Sequence, residues 1–245
     1  VDEALTLERE CADAWPALVD ESLGQWRLRA AGGFTGRANS ALPLGAPGVP
    51  MSDALTRVVE FAAANGIRPA AHVVVGAPME TDLAAAGWAI DQGRAGGAET
   101  IVMTGPLCSG TVPAGATVPD QPPARWWPLA VDASTPSPAQ RHVLAGMPGL
   151  GFGTLARDGE VVGIVRGAVV GDLLHIARLV VAPTHRRQGL AIGLLAALAE
   201  WAGQRGIRRC ALQVTTHNEA AISLYAKLRC RPHHRYRYWA PRRLD

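Results

Sequence analysis

The densest chemistry in the sequence lies in one run: Val181-Ala182-Pro183-Thr184-His185-Arg186-Arg187-Gln188-Gly189-Leu190-Ala191. An apolar, strand-like stretch precedes it and an amphipathic helical pattern comes after it. A strand–loop–helix turn with Gly and Ala lets backbone N–H groups approach a phosphate closely. The helix dipole favours negative charge at that end. Arg186 and Arg187 add positive charge, and Pro183 ends the strand because it cannot donate to a ladder. The chemistry this predicts is the holding of a phosphorylated anion. A second cluster, Asn218-Glu219-Ala220-Ala221 followed by Leu224-Tyr225 and Lys227, sits at the start of a further helical stretch. Metal chemistry finds little support. His217-Asn218-Glu219 spells the H-x-E of zinc deaminases, but no P-C-x-x-C follows. His233-His234 would need further ligands, and none is evident. Gly149-x-Gly151-x-Gly153 lacks the spacing of a dinucleotide turn and precedes a hairpin signal.

Arg186-Arg187-Gln188-Gly189-Leu190-Ala191, with Val181-x-Pro183 before it, resembles the acetyl-CoA loop of the GNAT superfamily of N-acetyltransferases. The segment from Asn218 to Leu228 resembles the second motif of that family. The resemblance covers roughly residues 149–239. It implies acetyl transfer from acetyl-CoA to an amine, without a metal. It implies that pantetheine pairs with the backbone of Leu179, Val180 and Val181. It implies that amides of Arg187, Gln188, Gly189, Leu190, Ala191 and Ile192, beside Arg186, hold the pyrophosphate. Asn218 would lie near the pantetheine arm, and Tyr225 would be the general acid for the departing thiolate. Many members carry a carboxylate base on the strand before the loop, and residues 173–179 here have none. His175 is the available titratable group there, and by strict strand alternation it shares a face with Leu179 and Val181. A structural role for His175, or a base from the N-terminal half, is the competing reading. The runner-up function is a non-catalytic acyl-CoA-binding regulatory protein.

The elements that must position these residues occur twice. Residues 54–74 align with 194–214 at an offset of 140, and Leu55, Glu60, Ala62, Gly66, Ile67, Arg68, Ala71 and Val74 each meet an identical residue. Each copy reads as strand, loop, helix, Gly stop, strand and second helix. The predicted fold class is α/β (α+β), with two tandem GNAT-like domains, each a mixed, centrally splayed sheet flanked by helices. The expected domains are 1–118, a degenerate copy; 119–140, a Pro-rich linker; and 141–245, the acetyl-CoA-binding copy. In the first copy Ser52 or Asp53 is expected to cap a helix, and 81–90 reads as a short helix interrupted by Gly87. Its loop after Pro43 has no Arg, and Pro47 and Pro50 remove two amide donors. Ala84 stands where the alignment expects Tyr225. This half is therefore expected not to bind acetyl-CoA productively.

Composition sets the outer bounds. The 245 residues are 48% apolar and 18% charged, which suits a buried core and excludes disorder or a disulfide scaffold. There are 23 Arg and one Lys, a bias that a GC-rich bacterial genome explains. Residues 1–130 carry a net charge of −6 and residues 131–245 a net +9. A basic half suits an anionic cosubstrate. The run Arg229, Arg231, Arg235, Arg237, Arg242 and Arg243, interleaved with Tyr236, Tyr238 and Trp239, reads as alternating packed and solvated faces, and no nucleic-acid partner is expected. No apolar run approaches membrane-spanning length. Val1-Asp2-Glu3-Ala4-Leu5 does not read as a secretory signal. Cys11, Cys108, Cys210 and Cys230 are far apart and are expected to stay reduced, in a cytoplasmic setting.

Overall fold

The computed structural model describes residues 1–94 and 96–242; Ala95 and 243–245, with Arg243 of the basic run, lie outside the described residues. In chain order the elements are α1 (Asp2–Asp13), β1 (Val19–Leu23), β2 (Trp26–Ala30), β3 (Ser40–Pro43), α2 (Met51–Ala64), β4 (Ala71–Val74), α3 (Pro78–Ala85), β5 (Trp88–Ile90), β6 (Glu99–Pro106) and β7 (Ala116–Thr117). Next come α4 (Trp127–Val131), α5 (Pro138–Ala145), β8 (Leu150–Arg157), β9 (Glu160–Val170), β10 (Leu173–Val181), α6 (Leu190–Gly203), β11 (Arg209–Thr215), α7 (Glu219–Lys227) and β12 (Arg231–Pro241). The result is a mixed α/β fold of sheet and flanking helices. Among the described residues no helix is long and apolar enough to cross a membrane.

The chain divides into two compact units that are not successive stretches. One comprises Val1–Val102, Val214–Glu219 and Pro232–Asp245; the other comprises Met103–Gln213 and Ala220–Arg231.

In the first unit β1, β2 and β3 form an antiparallel meander, β3 runs parallel to β4, and β4 pairs antiparallel with β12. Strand alternation gives this sheet two different faces. Leu28, Val73 and Trp239 pack with Leu55 and Val58 of α2 in an apolar layer. The opposite face carries Arg29, His72, Tyr236 and Tyr238, all buried. Glu8 of α1 is buried with them, 2.8 Å from His234 Nε2 and 3.2 Å from His72 Nε2. The helix α2 begins after Pro50 with no side-chain cap, so neither Ser52 nor Asp53 caps it. The expected helix over 81–90 is instead α3 followed by β5, because Gly87 takes a left-handed φ of 80° and turns the chain into a strand.

In the second unit β9 pairs antiparallel with β8 and β10, β7 extends β8, and β10 runs parallel to β11. Helix α6 lies close to this sheet because two of its contact positions are glycines. A Cβ on Gly163 or Gly167 would come within 2.8 Å of Leu194 Cδ1 or 2.7 Å of Leu198 Cδ1. The helix is buried on nearly all sides, beyond the single stripe that its spacing predicts. The reason lies before residue 118. Pro113 packs on Gly193, Gly110 faces Ala196, and β7 pairs with β8. Residues 103–118 thus lie in the second unit. The Pro-rich stretch 119–140 is likewise packed structure. Trp126 is fully buried, edge-on to Phe152 with ring centroids 5.2 Å apart, and Ser137 closes a capping box at the start of α5.

The repeat is visible in how α2 and α6 end. Gly66 and Gly206 both take left-handed φ, and Ile67 N–H and Ile207 N–H reach back to Ala62 and Ala202 carbonyls at 3.0 and 3.2 Å.

Candidate functional site

The second unit builds its site from the end of β10. The register of β10 against β11 stops at Ile176–Leu212, although β10 runs on to Val181. Against β9 the register slips between Ala177 and Val180, and Arg178 sits there at φ 55°. This bulge adds one residue on β10 and re-aims the side chains beyond it. It also corrects the alternation argument for His175: beyond the bulge Val180, rather than Leu179 or Val181, shares its face. A non-glycine residue in the left-handed region costs about 1–2 kcal/mol, so the surrounding pairing must impose it. The stretch Leu179–Val180–Val181 is half-buried, bonded to β9 along one edge and past its pairing with β11 along the other.

The loop then makes a short turn over Pro183–His185 and enters α6 through Gly189, at φ 75° and ψ 0°. Arg186 Nε donates to the Val181 carbonyl at 3.1 Å, so this arginine braces the loop. Gln188 Oε1 accepts from Arg157 at 3.1 Å. The first helical bond of α6 runs from Gly193 N–H to the Gly189 carbonyl at 3.1 Å. The N–H groups of Gly189, Leu190, Ala191 and Ile192 precede it and meet no acceptor within the described chain. The first turn of α6 carries no acidic side chain. Arg186, Arg187, Gln188 and Gly189 are exposed. Open amides, a helix dipole and nearby arginines fit a pyrophosphate.

Tyr225 lies on α7 and is 9% exposed. Burial, with the Cys230 and Cys210 thiols adding to it, pushes its phenol up to about 12. The phenol therefore keeps its proton throughout the neutral range, as a general acid requires. His175 is fully buried, with Nε2 3.3 Å from Gln213 Oε1. Asn218 is exposed in the turn before α7, its N–H bonded to the Thr215 carbonyl at 3.0 Å, and it falls within the short stretch grouped with the first unit. Gln213 is a neighbour of His175 that sequence reasoning missed; nothing in the strand pattern marks it. Among the described residues there is no group of three or more His, Cys, Asp or Glu side chains able to hold a metal ion. In the basic run, Arg235 and Arg237 are engaged by Glu99 at 3.0 and 2.7 Å, while Tyr236 and Tyr238, which alternate with them, are buried.

Comparison with known proteins agrees with this geometry. Residues 3–239 match the family model described as the C-terminal region of the probable histone acetyltransferase Rv0428c. The chain is 28% identical over 254 residues to the uncharacterised N-acetyltransferase YobR of Bacillus subtilis (strain 168), covering 97% of this chain and 99% of that protein. Among solved structures, a GCN5-related N-acetyltransferase from Kribbella flavida superposes with a TM-score of 0.69 at 16% identity, covering 98% of this chain and 95% of the other. A tandem GNAT protein from the clavulanic acid biosynthesis pathway superposes at 0.59 and 17% identity, covering 82% and 74%. The fold and the loop define a GNAT-type acetyltransferase that uses acetyl-CoA. The chain belongs to the family of the Rv0428c C-terminal region.

Proposed function

We propose that the acceptor is an amine, and that the acetyl group passes to it by direct attack at the thioester. The observation that supports this most is the pairing of an open-amide loop at the start of α6 with Tyr225, a phenol that stays protonated. Acetyl-CoA supplies the activated acetyl group. In this reading the amides from Arg187 to Ile192 and the charge of Arg187 hold its pyrophosphate, and Arg186 keeps the loop in shape. The backbone of Leu179, Val180 and Val181 takes the pantetheine arm. The amine must be neutral to attack, so its proton needs an acceptor. His175 is our candidate base. Its complete burial means that a proton reaches it only along a relay, and His175→Gln should lower the rate. Tyr225 gives its proton to the leaving sulfur.

We further propose that the chain is a tandem of two GNAT-like copies, with the N-terminal copy degenerate. The 140-residue repeat and the matching ends of α2 and α6 support this. Four free cysteines support a reducing, cytoplasmic setting. Thiol release from acetyl-CoA with a panel of amines tests the function. The panel would hold small polyamines, aminoglycosides, peptide N-termini and a lysine-rich histone peptide, since a histone is named for the family's reference protein. A rate above blank with one class, lost in Tyr225→Phe while affinity persists, supports the reading. No rate with any amine, while acetyl-CoA still binds, overturns it.

A further inference from the structure

The hairpins of the two units close differently. Between β9 and β10 the turn is Gly171-Asp172, and Asp172 is held by Arg209 at 2.7 Å. Between β2 and β3 the chain runs on from Ala31 to Asn39 and borders a cavity of about 330 Å³ in the first unit. Asn39 fixes the shape of this loop. Its Oδ1 accepts from the N–H groups of Ala31 and Gly33 at 2.8 and 2.9 Å, and its Nδ2 donates to the Phe34 and Thr35 carbonyls at 2.9 and 2.8 Å. Both polar atoms of that amide are thus engaged, and the rim of the cavity is built before any ligand arrives. Thr35 sits at φ 61°, and its hydroxyl accepts from Trp15 Nε1 at 2.9 Å, which leaves the hydroxyl proton to give. The N–H groups of Thr35 and Gly36 meet no acceptor among the described residues.

The charge of the cavity comes from Arg68 and Arg94. Arg94 is largely enclosed, its side chain 17% exposed. Its guanidinium lies over the Tyr238 ring, 3.7 Å from the centroid, and 3.6 Å from Asp91 Oδ2, which is too far for a hydrogen bond. Among the described residues its guanidinium N–H groups have no closer acceptor. Gly36 leaves room for it: a Cβ there would lie 2.8 Å from Arg94 Nε and closer still to Nη2. Arg68 reaches the same Asp91 oxygen at 3.3 Å. One carboxylate therefore faces two guanidiniums, and one positive charge stays unmatched. This excess stands within residues 1–130, whose net charge is −6. An enclosed cation with its donors unspent is costly until an anion meets it.

We propose that this cavity binds the phosphoryl group of a small metabolite, held by Arg68, Arg94 and the Thr35–Gly36 turn. A guanidinium fork takes two oxygens of one anion. Donors reach the cavity from three separate stretches of chain, at 35–36, 68 and 94. A tetrahedral anion with oxygens on several sides satisfies them better than a flat carboxylate does. The volume leaves room for a small body beside the phosphoryl group. None of these residues belongs to the loop before α6, so the proposal stands apart from the acetyl-transfer reading.

The test titrates the isotope-labelled full chain with inorganic phosphate at constant ionic strength and follows the backbone amides by NMR. The Thr35 and Gly36 resonances should shift and saturate. Glycerol 3-phosphate should saturate them at no higher concentration than inorganic phosphate does. Acetate over the same range should leave them in place. Arg68→Gln changes an exposed side chain, and Arg94→Lys keeps a charge but loses the fork. Each should raise the phosphate midpoint about tenfold, the worth of one charge-assisted hydrogen bond. The proposal is overturned if phosphate or glycerol 3-phosphate leaves both resonances unmoved, if acetate shifts them as strongly, or if both variants bind phosphate as wild type does. Shifts confined to Gly189–Ile192 would place phosphate in the α6 loop alone and overturn it as well. The first titration needs no variant, so a folding defect cannot obscure it.

Discussion

The loops that follow β3 and β10 occupy equivalent places in two βα units, yet differ in what fills them at the helix entry. After β3, Leu44 N–H is met by the Gln25 carbonyl at 3.3 Å, and Ala46 N–H by the Gln25 side chain at 2.9 Å. Trp26 Nε1 donates to the Gly45 carbonyl at 2.9 Å. Pro47 and Pro50 have no N–H to offer. Gly24 presses on the loop so closely that a Cβ there would lie 2.4 Å from the Pro47 carbonyl. Asp53 then places a negative charge in the first turn of α2. After β10 Arg186 braces the loop, but no acceptor meets the N–H groups of Gly189 to Ile192, and α6 starts without an acid. The contrast extends to ionised groups. The first unit keeps a carboxylate inside, between His72 and His234, while the second leaves Arg187 in solvent. Polar groups answered from within make a scaffold corner; the same groups left unanswered make a ligand site.

Several substitutions can break or sharpen that contrast. The largest effect belongs to the inward-facing side. Glu8→Ala leaves two buried histidines without their carboxylate and should cost about 3–5 kcal/mol in guanidinium unfolding. Burial pushes the Glu8 pKa up, but the His72 charge and hydrogen bonds from His234 and His72 outweigh it, so the carboxyl titrates well below the usual range. A carboxyl depressed in the fold adds stability above its unfolded value of 4.5, and loses it as pH falls toward the folded value. Wild type should therefore lose stability below about pH 4.5 more steeply than Glu8→Ala; equal slopes would count against an ionised Glu8.

On the outward-facing side, Tyr225→Phe should lower kcat by roughly 10²–10³ with acetyl-CoA affinity kept, as loss of a general acid does. The phenol loses its proton only as pH rises through about 12, so the wild-type rate should show no descending limb from it between pH 7 and 10. A fall near pH 8 removed by the substitution would contradict the environment described for Tyr225. Next comes Gly189→Trp, which must adopt φ 75° and crowd the open amides. Acetyl-CoA affinity measured by calorimetry should fall about a hundredfold, the worth of one or two charge-assisted hydrogen bonds. Unchanged affinity would refute the phosphate loop. The smallest effect is expected in the other loop: Pro47→Ala should leave affinity and a stoichiometry of one per chain unaltered, and a second binding event would erase the distinction between the loops.

How much of the molecule is readable from sequence depends on the range of the interaction involved. The loop proposed to hold an anion is legible because all its parts are neighbours in the chain: a buried strand, Pro183, two arginines, Gly189 and a helix. The repeat is legible for the same reason, since Gly66 and Gly206 each end a helix by local bonds. The bulge at Arg178 is not, because Leu179, Val180 and Val181 alternate equally well with or without an extra residue. Glu8 looks like any surface acid of an amphipathic helix, and only α1 docking on β4 and β12 buries it between two histidines. Gln25 carries no mark of a loop plug. The prolines of 119–140 do not reveal that α4 and α5 begin there, nor that Trp126 fills the space beside Phe152.

The sequence by itself determined the class of chemistry and the mixed α/β fold, because backbone direction, turn residues and charge over a few neighbouring positions carry both. Only the tertiary structure decided which amides stay open, which strand departs from its partner, and which carboxylate is buried between histidines. Those outcomes depend on groups far apart along the chain that compete for the same hydrogen bonds and the same volume, and no local pattern records who wins.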